Sequence, residues 1–130
     1  NYRNMSWDIV LFNTTNKIDD ITEFTDEHLE PINFDVVFES FFKNIKKDED
    51  AWEIVGEDFT IIHYPDNALA THCMVNLYGE NAIYAIVDLA KTIGFQVFDT
   101  GLGEMLDLDD PSKNGYENFQ RYVRQVLGKK

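Results

Sequence analysis

Apolar positions along the chain change period several times, and the changes divide it into elements. Trp7 to Phe12 (WDIVLF) is a short run of β-branched and aromatic residues. Both of its alternating faces are mostly apolar, the pattern of a strand inside a sheet. Asn13 to Asn16 interrupts it. From Lys17 to Glu30 the apolar residues Ile18, Ile21, Phe24 and Leu29 are scattered among acidic ones. That predicts a loop with up to one helical turn, laid over the sheet edge. Over Pro31 to Lys47 the period becomes helical. Phe34, Val37, Phe38, Phe41 and Ile45 fall on one face of a 3.6-residue repeat. Asn33 is placed to cap this helix and Asp35 lies in its first turn. Lys43, Lys46 and Lys47 fall in its last turns, where cations complement the dipole.

Ala51 to Tyr64 reads as a β-hairpin, with WEIV and FTIIHY flanking Gly56-Glu57-Asp58 and glycine available for positive φ. Pro65-Asp66-Asn67 marks a second turn. Leu69 to Tyr78 alternates: Leu69, Thr71, Cys73, Val75 and Leu77 on one face, Ala70, His72, Met74, Asn76 and Tyr78 on the other. A half-buried antiparallel strand has this pattern. Gly79 ends it. Glu80 to Ile93 predicts a second helix, with Ile83, Ile86, Val87, Ala90 and Ile93 inward and Gly94 just past its end. Phe95 to Phe98 is a strand. Tyr116, Phe119, Val123 and Val126 space out a third helix, with Arg121 and Arg124 on its polar side and Gly128 closing it.

The order β-α-β-β-β-α-β-α lacks the single alternation of a doubly wound parallel sheet. It predicts an α+β fold: a mainly antiparallel sheet of about five strands, with the helices packed on one face. No repeat, low-complexity tract or linker divides the chain, so residues 1–130 are expected to form one domain. Met5 reads as the natural start, and Asn1 to Asn4 as an added or frayed extension.

Composition adds charge to this picture. The chain carries 24 acidic and 11 basic residues, a net charge of -13. Such a surface repels phosphate backbones and anionic membranes, so neither nucleic acid nor membrane is an expected partner. It suits a basic protein, whose approach it steers. No apolar stretch is long enough for a transmembrane helix, and no secretory signal is visible, so a cytoplasmic setting is expected. Cys73, the only cysteine, cannot form an internal disulfide and sits in an apolar run.

Acidic residues gather in two places. One is the glycine-punctuated stretch after Phe98, with Asp99, Glu104, Asp107, Asp109 and Asp110. The other runs from Asp19 to Glu30, with Asp19, Asp20, Glu23, Asp26 and Glu27. The first invites a Ca²⁺ reading, because glycines let a loop fold oxygens inward. The EF-hand spacing is absent, however, and so is a dinucleotide fingerprint. His63 and His72 could meet on adjacent strands and share a proton or a metal, but no standard zinc spacing accompanies them. A Cys73–His63 nucleophile pair stays open, whereas Cys73–His72 is removed because strand neighbours point to opposite faces. No metal or cofactor is expected, and no catalytic residue is assigned. The alternative is a small metal-dependent hydrolase built on residues 99–110.

Two features carry a resemblance. One is the opening Met5-Ser6-Trp7-Asp8-Ile9. The other is the succession Leu77 to Gly79, the helix to Ile93, the strand Phe95 to Phe98, and the turn Asp99-Thr100-Gly101-Leu102-Gly103-Glu104. In these the chain resembles small acidic α+β proteins that occur as immunity proteins, or as their neighbours, in bacterial polymorphic-toxin systems. The resemblance implies a non-enzymatic protein that neutralises a cognate toxin, and no catalytic residues. The two acidic segments are then the expected docking surface for a basic toxin domain.

Overall fold

The computed structural model describes residues 6–110. The expected third helix and the extension Asn1 to Asn4 lie outside them. Inside the sheet β1 (Trp7–Phe12) runs antiparallel to β7 (His72–Tyr78) on one side and to β8 (Gln96–Asp99) on the other. Since β7 and β8 both run against β1, they are parallel to each other. The helix α2 (Ala82–Ile93) makes the crossover between them. Beyond β7 lie β5 (Phe59–His63), β4 (Trp52–Gly56) and β3 (Ile45–Lys47), and beyond β8 lies β9 (Glu104–Met105). The result is a seven-stranded antiparallel sheet in the order β3-β4-β5-β7-β1-β8-β9. A separate two-stranded sheet joins β2 (Ile32–Asn33) to β6 (Leu69–Ala70).

The expectation of about five strands misses the short ones. β2, β6 and β9 have two residues each and β3 has three, too few to show a period of two. The long first helix is the main correction. The helix α1 (Phe34–Phe41) has eight residues. Asn33 caps it as expected, its side-chain oxygen accepting the Val36 N–H at 3.3 Å. Phe42 ends it in extended backbone. Ile45 satisfied the helical period, but it equally satisfies a strand in which it faces Ile54. The strand also places the Lys47 ammonium 2.7 Å from Glu39 and 4.7 Å from the centre of the Trp52 ring. Lys46 and Lys47 therefore lie on an edge strand, where charge discourages further pairing, and Lys43 in the bend before it, none of them at a helix end. The strand expected over Leu69 to Tyr78 is also broken, at Thr71, whose carbonyl accepts the Asn13 N–H.

α2 follows the expected pattern except that Ile93 is exposed. Gly94 closes it in the left-handed region (φ 102°) and returns its N–H to Ala90, as a helix-ending glycine does. Direct cross-strand partners share a face of a sheet. The registers therefore put Ile9, Leu11, Ile54, Ile61, Val75, Leu77 and Val97 on one face, all buried. Phe34 and Phe38 of α1 and Ile83, Ile86 and Leu89 of α2 belong to the same buried cluster. Two buried polar side chains, His63 and Asp99, also lie on that face.

Candidate functional site

The acidic stretch after Phe98 is stitched to the start of β1. Thr100 donates to the Asp8 carbonyl through its N–H at 3.1 Å and its hydroxyl at 2.8 Å. Asp99 is only 1% exposed. Its Oδ1 accepts the Gly101 and Leu102 N–H groups at 2.9 and 3.2 Å, so it folds the turn from inside. Burial pushes its carboxyl above the usual range, against the pull of those amides and of the Trp7 indole. Asp99 is therefore a structural staple and offers no carboxylate to the outside. Glu104 faces it across the β8–β9 pair and is exposed.

The chain then turns back along β8. Leu106 donates to the Val97 carbonyl at 2.8 Å, and the Asp107 carboxylate accepts the Asp109 and Asp110 N–H groups at 3.0 and 3.1 Å. Asp109 comes to 3.8 Å from Lys91 in the last turn of α2. Asp107 to Asp110 thus lie at the end of β8 opposite to Asp99. That end also holds the 13–30 stretch: the Gln96 side chain donates to the Thr15 carbonyl at 3.5 Å.

The 13–30 stretch is a loop, as expected, and it is anchored. Phe24 packs edge-on against Phe12, ring centres 5.2 Å apart. The Asp26 carboxylate accepts the Thr71 hydroxyl at 2.6 Å and lies 3.7 Å from the His72 ring. The Thr71 hydroxyl holds the Asp26 carboxyl below its ordinary pKa, and hydrogen bonds from Thr22 do the same for Asp20. Asp19, Asp20, Glu23, Asp26 and Glu27 are all exposed. An open groove of about 360 Å³ runs through the loop, with Asp19, Asp20 and Glu23 beside the apolar Phe24 and Leu29. Of the ten acidic candidates, Asp19, Asp20, Glu23, Asp26, Glu27, Asp107, Asp109 and Asp110 are brought to the Phe12 end of the sheet. Asp99 and Glu104 sit at the Trp7 end.

A second constellation adds Asp35 to the Cys73–His63 pair that the sequence had left open; the part played by Asp35 was missed. His63 is 2% exposed and does not meet His72, which is exposed on the opposite face of the sheet beside Phe12. His63 Nε2 lies 2.6 Å from Asp35 Oδ1, and the other Asp35 oxygen accepts the Asn67 N–H at 2.9 Å. His63 Nδ1 lies 3.6 Å from Cys73 Sγ. The rings of Phe38 and Trp52 wall in the imidazole at 4.4 and 5.4 Å. When Nε2 donates to Asp35, Nδ1 is left as an acceptor facing the thiol, which also lies 3.7 Å from the Met74 carbonyl oxygen. Burial, with the charges of Asp66 and Asp35 behind it, pushes the Cys73 thiol up to about 12. One signal was available. In FTIIHY, Phe59, Ile61 and His63 share one face, so the period of two already placed His63 among apolar residues.

The opposite face carries a shorter polar chain. The Tyr64 hydroxyl donates to Asn76, the Asn76 amide donates to Asp8 at 2.6 Å, and the Ser6 hydroxyl donates to the same Asp8 oxygen at 3.0 Å. Desolvation, followed by Tyr78 and Asp8, raises the Tyr64 pKa. Among the described residues no three His, Cys, Asp or Glu side chains converge where they could hold a metal ion. No described helix is long and apolar enough to cross a membrane. No family model, curated protein or solved structure matches the chain.

Proposed function

We propose that this protein is a non-enzymatic binding protein that docks a basic protein partner on the acidic Phe12 end of its sheet. In the setting suggested by its resemblance to immunity proteins, the partner is a cognate toxin domain in the bacterial cytoplasm. In this reading both helices cover one face of the sheet, and the 13–30 loop and the 107–110 turn form the docking end. The observation that carries the reading is the convergence of these two acidic segments, far apart in sequence, around Gln96 and Thr15. The carboxylates of Asp19, Glu23, Glu27, Asp107 and Asp109 are exposed, in a chain with net charge -13. Arrayed carboxylates can stand in for the phosphates of a nuclease substrate and block its cleft, and they speed encounter with a positive surface. Asp99 keeps a supporting role as the residue that shapes the turn. Co-purification with a toxin encoded beside the gene tests the proposal. A complex that ignores salt and survives reversal of Asp107, Asp109 and Asp110 to lysine would contradict it.

A further inference from the structure

A docking surface makes no use of the line Asp35–His63–Cys73. We propose that Cys73 is a nucleophilic thiol served by His63 as general base, and that its sulfur accepts the acyl or alkyl group of an uncharged electrophile. The register explains how the pair meets. His63 on β5 faces Val75 on β7, and Cys73 precedes Val75 by two residues on the same face, so the two are diagonal neighbours. The sulfur lies 3.6 Å from Nδ1, within reach of an S–H···N hydrogen bond. The Asp35 carboxylate lies 2.6 Å from Nε2, and the Asn67 N–H holds its second oxygen, which fixes its orientation. Because Nε2–H is committed to Asp35, Nδ1 turns its lone pair to the sulfur. Nucleophile, base and orienting acid thus stand in the order that nucleophilic catalysis requires. Phe38 and Trp52 fix the imidazole plane, while Cys73 itself is only partly buried.

The step balances without an oxidant or a metal. The S–H proton passes to Nδ1 as the S–C bond forms. The leaving group takes that proton from the imidazolium as its own bond to carbon breaks. Asp35 stays ionised and stabilises the imidazolium. The products are S-acyl or S-alkyl Cys73 and the protonated leaving group. Asp35 from α1 and Asp66 from the 65–68 turn are the charged groups that act on the sulfur, and both are negative. They repel anionic carriers such as phosphate-bearing thioesters, which leaves neutral esters, neutral thioesters and alkylating agents. The resting sulfur is a thiol and not a thiolate, so proton transfer accompanies attack.

The test incubates the full chain with p-nitrophenyl acetate between about pH 5 and 9, following nitrophenolate release and intact mass. A single acetyl group should appear on Cys73, and none in Cys73→Ala. The rate should reach a plateau, because transfer of the proton to a base, and not the thiolate fraction, limits it. His63→Gln, with its fold checked by circular dichroism, should slow the reaction at neutral pH by about 10²-fold or more. Absence of an acetyl group on Cys73 would overturn the proposal. So would a wild-type rate that climbs about tenfold per pH unit up to pH 9, the behaviour of an unassisted thiol. The wild-type profile decides even if the His63 variant does not fold.

Discussion

Replacing Asp35 with alanine tests the buried polar line most severely. Asp35 is 7% exposed and His63 2%, so neither can turn to water when its partner is lost. The substitution orphans the His63 Nε2–H, which Asp35 accepts at 2.6 Å, and frees the Asn67 N–H, which belongs to an exposed residue and can turn to water. A buried donor left unpaired costs about 1–3 kcal/mol. The expected loss is therefore about 1–3 kcal/mol, a sizeable share of the stability of a single domain. Asp35→Asn should cost less, because its amide keeps one acceptor and can pair with the other imidazole tautomer. Equilibrium urea unfolding with unchanged m-value is the assay. A loss below about 1 kcal/mol for Asp35→Ala would refute the claim that this pair is a buried, mutually satisfied unit.

Two further outcomes are expected. In Gly79→Ala the new Cβ would lie 2.4 Å from the Asp58 carbonyl oxygen, at a backbone φ of +92° that side chains rarely adopt. Strain and clash together should cost about 2–4 kcal/mol in thermal or urea unfolding, and a neutral substitution would contradict the turn geometry. Asp99 has its folded-state pKa raised, chiefly by burial, so the folded state binds the proton more tightly than the unfolded chain. Its contribution to stability is therefore greatest in acid and is lost as pH rises from the unfolded value through the raised one. The unfolding free energy of the wild type minus that of Asp99→Asn should fall over that window, and a rise would show that the carboxyl is depressed instead.

The longer strands and the second helix were legible because each buries a face long enough to set a period. Trp7 to Phe12 and the alternation of Cys73, Val75 and Leu77 are examples, as are Ile83, Ile86 and Val87. The end of α1 was not legible. Ile45 fits a helix at 3.6 and a strand at 2, and only pairing with Ile54, from outside its segment, decides between them. The site divided in the same way. Exposed acidic residues are visible in composition, but their grouping depends on β9 folding back along β8. Asp99 looked like its neighbours, and its burial follows from a register partner, Ile9, ninety residues away. Asp35, His63 and Cys73 come from three elements and have no spacing that marks them. The left-handed turn residue, expected at Gly56, is Asp58 (φ 59°), a type that tolerates this region.

The central claim is that the Phe12 end of the sheet is the docking surface, and matched charge reversal tests it most directly. Two variants with the same change in net charge are compared: Asp19→Lys with Glu23→Lys at the groove, and Glu53→Lys with Glu57→Lys on β4 and its turn. All four side chains are exposed. Affinity for the partner the proposal calls for, a basic toxin domain encoded beside the gene, is measured at low and at physiological salt. The groove variant should lose at least about tenfold in affinity, mostly through slower association, and lose its salt dependence, while the β4 variant binds like the wild type. Equal affinities for the two variants, or binding that salt does not weaken, would contradict the account.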